Sequence, residues 1–146
     1  MLKVLLVDDE PFIVQGLSAL IDWEKEGFEI VGTAGNGSEA VEFLKSNPVD
    51  LILADIKMPV MNGLVFLKYI RETHLSEAFF VILSGYGDFT YAKEAIKWQC
   101  TDYILKPIQK SQLLALLSKV KQMQQDKKEE SERIRKIGKA YFVQQM

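Results

Sequence analysis

Short apolar runs recur along the chain, separated by longer segments of mixed character. The runs at 4–7, 29–34, 51–54, 79–83 and 103–105 are rich in Val, Ile and Leu and too short for helices. Turn residues or charges bound each of them, which is how strands buried on both faces read. The intervening segments carry helical spacing. Ile13, Leu17, Leu20 and Ile21 fall at i, i+4, i+7 and i+8, and Ala40, Phe43 and Leu44 follow Ser38-Glu39, with Pro48 closing the segment. Leu64, Leu67 and Ile70 follow Asn62-Gly63. Tyr91, Ala92, Ala95 and Ile96 follow Asp88, an N-cap residue type, and Leu113, Leu114, Leu117 and Val120 follow Ser111. Five β-α alternations predict an α/β fold, a doubly wound parallel five-stranded sheet with helices on both faces. Ligands of such folds bind at the carboxyl ends of the strands, where the strand order reverses.

The fifth helical segment does not stop where a domain would. From Lys119 to Lys139 there is no Pro, and no Gly before Gly138, and most residues are strong helix formers. The last helix is therefore expected to be extended, with a globular body at 1–122 and a helical tail at 123–146. Charge divides the chain in the same way. Residues 1–118 hold 10 Lys+Arg against 16 Asp+Glu, and residues 119–146 hold 8 against 4. In the tail, Leu116, Val120, Met123, Ile134 and Ile137 fit a heptad seam that Lys127 and Glu130 interrupt. A solvated linker is the plain reading of this segment, and a homodimer through it the sharper one. The basic balance alone does not make it a nucleic-acid surface.

Composition narrows the chemistry. With 48% hydrophobic and 26% charged residues, the 146-residue chain has the make-up of a globular domain. Its single cysteine, Cys100, excludes an internal disulfide and a Cys-based zinc site, and it is expected to be a small buried hydrophobe. The single histidine, His74, leaves little room for His-dependent catalysis and reads as a surface loop residue. No apolar stretch approaches the roughly 18 residues a membrane span needs, so a soluble cytoplasmic protein without a membrane partner is expected.

Each candidate for chemistry sits just after an apolar run. Asp8 and Asp9 follow the first, Asp55 the third, Ser84 the fourth and Lys106 the fifth. A parallel sheet delivers all of these to one edge. Each alone has an ordinary explanation as a cap, turn or strand end, but the constellation is far less ordinary than its members. Three carboxylates repel one another unless a cation neutralises them. Oxygen ligands without His or Cys suit Mg²⁺. A carboxylate beside Mg²⁺ and a lysine is placed to accept a phosphoryl group.

These residues carry a resemblance. Val7-Asp8-Asp9-Glu10-Pro11, Asp55-Ile56-Lys57-Met58-Pro59-Val60-Met61-Asn62-Gly63, Ser84-Gly85-Tyr86 and Asp102-Tyr103-Ile104-Leu105-Lys106-Pro107 resemble, in order and spacing, the motifs of CheY-like response-regulator receiver domains of two-component signalling. The resemblance covers about residues 1–122 and implies a flavodoxin-like fold. The 84–92 run, with Tyr86, Asp88, Phe89 and Tyr91, resembles the subgroup that precedes AraC-type helix-turn-helix output domains.

The resemblance implies that Asp55 is the phospho-acceptor for a sensor histidine kinase. It implies that Asp9, Asp55 and the backbone carbonyl of Lys57 hold Mg²⁺, with Asp8 acting partly through water. Ser84 would bond a phosphoryl oxygen, and Lys106 would pair with phosphate or, before phosphorylation, with Asp55. Tyr103 would be the switch aromatic, and Lys106-Pro107 a cis peptide. DNA would be reached only through an output domain outside this chain. One departure stands out: Trp98-Gln99-Cys100-Thr101 fills a turn where the family usually has a small residue, so Gln99 is expected to carry any positive φ there. Two other classes compete. An aspartyl phosphatase is disfavoured because Asp55-Ile56-Lys57 lacks the second Asp such an enzyme would use as acid–base. A stand-alone interaction or dimerisation module with a vestigial acidic site is disfavoured because all the site positions are filled.

Overall fold

The structure is a computed structural model, which describes the backbone of residues 1–85 and 89–145 and the side chains of 1–85 and 90–138. Tyr86 and Asp88 and the side chain of Phe89, named in the sequence reading, lie outside the described residues, as do the side chains of Ala140-Tyr141-Phe142-Val143.

Strands and helices alternate as the pattern predicts. They are β1 (Leu2–Val7), α1 (Pro11–Leu20), β2 (Phe28–Ala34), α2 (Gly37–Ser46), β3 (Leu51–Asp55), α3 (Gly63–Glu72), β4 (Phe79–Ser84), α4 (Phe89–Ile96), β5 (Asp102–Leu105) and α5 (Lys110–Gln145). The five strands form one sheet in the order β2-β1-β3-β4-β5, and every pairing is parallel. The order reverses between β1 and β3, so the crevice for chemistry lies at the ends of those two strands.

The continuous apolar runs follow from burial on both faces. Leu5, Val7, Ile52, Ala54, Phe80 and Ile82 project to one side, into a core shared with Ala40, Leu44, Phe66, Leu67, Ile70 and Ala95 of α2, α3 and α4. Their neighbours Val4, Leu6, Leu51, Leu53, Val81 and Leu83 are equally buried on the other side. A strand with two buried faces cannot alternate polar and apolar residues, and these do not.

Contacts divide the chain into two compact units, Met1–Leu114 and Ala115–Met146. The second unit is the continuation of α5, a single helix that is exposed from Gln125 to Gly138. Among the described residues no helix is long and apolar enough to cross a membrane.

Candidate functional site

Asp8, Asp55 and Ser84 are the buried polar residues of the described chain, and all three lie at the carboxyl edge of the sheet. Burying three polar groups together costs free energy unless something there uses them. Asp8 and Asp9 follow β1, Asp55 ends β3, Ser84 ends β4 and Lys106 follows β5. The acidic run does not cap α1. That helix begins at Pro11 without a side-chain cap, and Asp8 Oδ1 instead accepts from the Glu10 N–H at 2.9 Å. One carboxylate oxygen from each of Asp8, Asp9 and Asp55 lies within 4.8 Å of the others. Asp8 and Asp55 are buried and Asp9 is exposed.

Lys106 is the counter-charge. Its Nζ donates to Asp8 Oδ2 at 2.8 Å and lies 3.2 Å from Asp55 Oδ2. The sequence reading paired it with Asp55; the structure gives it both carboxylates, Asp8 more closely. Burial opposes the lysine's charge, but the Asp8 hydrogen bond and both carboxylate charges outweigh that and hold Lys106 above its ordinary value. Asp55 is pushed up, first by burial and further by the charge of Asp8, with Lys106 pulling the other way. One ammonium does not offset the carboxylates together.

The loop after Asp55 is built from its backbone. Ile56 N–H donates to Asp55 Oδ1 at 2.8 Å, leaving Oδ2 toward Lys106. Gly63 packs on Asp55 itself: a Cβ there would stand 2.0 Å from the Asp55 carbonyl oxygen, and the Gly63 N–H donates to the Ile56 carbonyl at 2.8 Å. Asn62 opens α3 by accepting from the Val65 N–H at 2.9 Å. Beside this loop is an open cavity of about 350 Å³, lined by Asp9, Ile56, Lys57, Met58, Pro59, Asn62 and Tyr91. Lys57 is exposed at its rim. Sequence reasoning did not place Tyr91 there, because a helix turn joins it to the site only through the fold.

Ser84 is fully buried, and its hydroxyl is 2.5 Å from the Tyr103 hydroxyl. The Tyr103 ring therefore points toward the site. Lys106-Pro107 is cis, and Gln99 has φ 62°, both as expected. Cys100 corrects its expectation. It is half-buried rather than buried, and its thiol donates to the Asp102 carbonyl at 3.1 Å, because the turn around it leaves carbonyls to satisfy. His74 is exposed, as expected.

The donor set fits a hard divalent cation: three carboxylates in reach of one another, with neither His nor Cys among them. Both oxygens of Asp8 already hold protein partners, whereas Asp9 faces solvent. Both oxygens of Asp55 are engaged as well, by the Ile56 N–H and Lys106, so Asp9 is the carboxylate left most open to a cation.

A sequence profile of the response regulator receiver domain matches residues 4–118. The uncharacterized transcriptional regulatory protein YesN of Bacillus subtilis is 39% identical over 120 residues, 82% of this chain and 32% of that protein. The transcriptional regulatory protein HptR of Staphylococcus aureus N315 is 37% identical over 120 residues, 82% of this chain and 46% of that protein. The chain thus spans a third to a half of these relatives. Among solved structures, the REC domain of AraT, a response regulator from Geobacillus stearothermophilus, superposes with a TM-score of 0.80 at 38% identity, covering 87% of this chain and 98% of that one. A two component transcriptional regulator AraC from Clostridium phytofermentans gives 0.75 at 32% identity, covering 84% of this chain and 94% of that one.

Proposed function

The chain belongs to the response regulator receiver domain family, and from that premise we propose that Asp55 accepts a phosphoryl group from a phosphohistidine of a sensor histidine kinase. The observation that carries this reading is the gathering of Asp8, Asp9, Asp55 and Lys106 at the β1/β3 crevice. An Asp55 carboxylate oxygen attacks phosphorus, the O–P bond forms, the P–N bond breaks, and the leaving imidazole nitrogen takes a proton. Mg²⁺, held by Asp9, Asp55 and the Lys57 carbonyl with Asp8 acting through water, would offset carboxylate repulsion and the charge on the transferring oxygens.

The protein's own groups do the rest. Lys106 supplies a fixed positive charge, and Ser84 a hydroxyl that can turn from Tyr103 to a phosphoryl oxygen. Releasing Tyr103 from that bond biases a two-state equilibrium in the β4–α4 and β5 region. The chain consumes one donor per acceptor rather than turning over external substrate.

We further take residues 1–122 as the receiver and 123–146 as the linker of a cytoplasmic transcription regulator with an AraC-type DNA-binding output. The names of the related proteins support the transcription-regulator part of this assignment.

The test is intact-mass spectrometry after incubation with acetyl phosphate, with and without Mg²⁺, beside Asp55→Ala. One added phosphoryl group that needs both Mg²⁺ and Asp55 is expected. No addition under conditions where Mg²⁺ binding is measured would sink the acceptor reading and leave a binding module with an inert acidic site.

A further inference from the structure

The turn between β2 and α2 touches both arms of the acidic site. At its start the Ala34 carbonyl, at the end of β2, accepts the Asp8 N–H at 3.0 Å. At its other end Gly37 donates its N–H at 2.9 Å to the carbonyl of Met61, in the loop that leaves Asp55 and contains Lys57. In the sheet β1 stands between β2 and β3, so the turn crosses the end of β1 to make this contact. Only a glycine permits the approach: a Cβ at position 37 would stand 2.7 Å from Met61 Cγ and 2.8 Å from Phe66 Cβ.

Two side-chain bonds lock the turn. Glu39 Oε2 accepts from the Gly35 N–H at 2.7 Å, and Asn36 Oδ1 accepts from the Glu39 N–H at 2.9 Å. Bonds in both directions fix the backbone between Gly35 and Glu39 as a reciprocal helix cap does. What stands at the two ends of this locked run is the Asp8-Asp9 arm and the loop that carries Lys57. Mg²⁺ demands near-ideal octahedral geometry at about 2.0–2.1 Å. A cation shared by Asp9, Asp55 and the Lys57 carbonyl therefore needs those arms at a fixed spacing.

We propose that Glu39 is a positioning residue for the divalent-cation site. Its side chain locks the β2–α2 turn, and the turn holds Asp8-Asp9 and the loop after Asp55 at the spacing the cation needs. Glu39 itself does not touch the cation. The inference rests on the Mg²⁺ reading given above. Glu39 works here as a hydrogen-bond acceptor, not as a charge. Glu39→Gln keeps an oxygen that can accept the Gly35 N–H, whereas Glu39→Ala releases it. The side chain is exposed, so neither change disturbs the core.

The test is amide-resolved NMR on the full 146-residue chain, read twice: as a titration with MgCl₂, and as hydrogen exchange without metal. Glu39→Ala should lower Mg²⁺ affinity about three- to tenfold, the scale of coupling carried through packed contacts. In the metal-free chain it should also speed exchange of the Asp8 and Gly37 amides. Glu39→Gln should return both readouts close to the parent. Glu42→Ala removes a carboxylate of the same helix that pairs with Lys45, and should change neither. Faster exchange confined to the first turn of α2, with parental Mg²⁺ affinity, would make Glu39 a helix cap only and overturn the proposal. Equal losses in the glutamine and alanine variants would assign the effect to charge and overturn it too. A parent chain that binds no Mg²⁺ would overturn the cation reading together with this one. A parent that binds, beside an alanine variant that binds as tightly, would overturn this one alone.

Discussion

Lys106 Nζ is bonded to Asp8 Oδ2 at 2.8 Å, closer than the 3.2 Å that separates it from the proposed acceptor, Asp55. Asp8 thereby shares the lysine with Asp55 and leaves the Asp55 carboxylate less neutralised than a simple Lys106–Asp55 pair would. Asp8→Asn removes one of three carboxylates and frees Lys106 to bond Asp55 alone. Both changes weaken divalent-cation binding. Titration calorimetry with Mg²⁺ should show affinity falling about tenfold or more, since about 1.4 kcal/mol is a factor of ten. Unchanged affinity would mean that Asp8 takes no part in holding the cation.

The position of Asp55 makes stability depend on pH in a fixed direction. Burial and Asp8 raise its folded value above the ordinary 3.8. A raised carboxyl favours folding in its protonated form, so that contribution is fully present below pH 3.8. It is lost as pH rises through the folded value, and above it the ionised, buried Asp55 is a net cost. Asp55→Asn keeps the shape and removes the charge. The variant should melt higher than the parent at pH 7 without Mg²⁺, with the gap narrowing as pH falls toward 3.8. Differential scanning calorimetry across that range reads it directly. A gap of opposite sign would mean that Lys106 stabilises ionised Asp55 more than burial disfavours it.

Gly63 is a packing requirement of the Asp55 backbone. A methyl group at this position meets the Asp55 carbonyl at 2.0 Å, and the atom it meets is backbone, which cannot swing aside as a side chain could. Gly63→Ala should cost about 2–3 kcal/mol, the upper range for overpacking. Chemical denaturation measures this. If the chain relaxes, the move falls on Asp55 first, so phosphoryl acceptance should drop more than stability alone explains.

The strands were legible because two-faced burial leaves unbroken apolar runs, and the candidate site because four of the five runs lead into a polar or charged residue at one edge of the sheet. The direct ligand–lysine geometry was not. Which carboxylate Lys106 prefers depends on a 98-residue separation closed only by the sheet order. Gly63 reads in sequence as part of a helix start, and only the fold reveals the atom it must clear. Val60 adopts φ 67°, a conformation that β-branching opposes, so no local propensity announces it. Arg71 lies within an amphipathic helix and reads there as ordinary surface charge.

Arg71 is in fact the brace of the turn that precedes β5. Its Nε donates to the Trp98 carbonyl at 3.2 Å, Nη1 to Ser76 at 2.8 Å, and Nη2 to Ala78 at 2.7 Å and Gln99 at 3.2 Å. Burial pulls its pKa down, but a guanidinium stays charged in proteins. The brace spans the α3–β4 segment and the α4–β5 turn, where Gln99 sits at φ 62°. A left-handed glutamine costs about 1–2 kcal/mol, and Arg71 is the group placed to hold it there. Arg71→Met removes four bonds and strands their carbonyls, which should destabilise the chain by about 3 kcal/mol. Arg71→Lys should recover little, because one ammonium cannot reproduce a planar fork. Gln99→Gly should stabilise the parent by about 0.5–1 kcal/mol, the steric relief less glycine's own entropy. Without Arg71 the turn is free to relax, so the same Gln99→Gly change should then gain less. A double-mutant cycle by urea denaturation separates the cases. Additive effects would mean that the left-handed turn is fixed by the chain around it and that Arg71 merely satisfies carbonyls already in place.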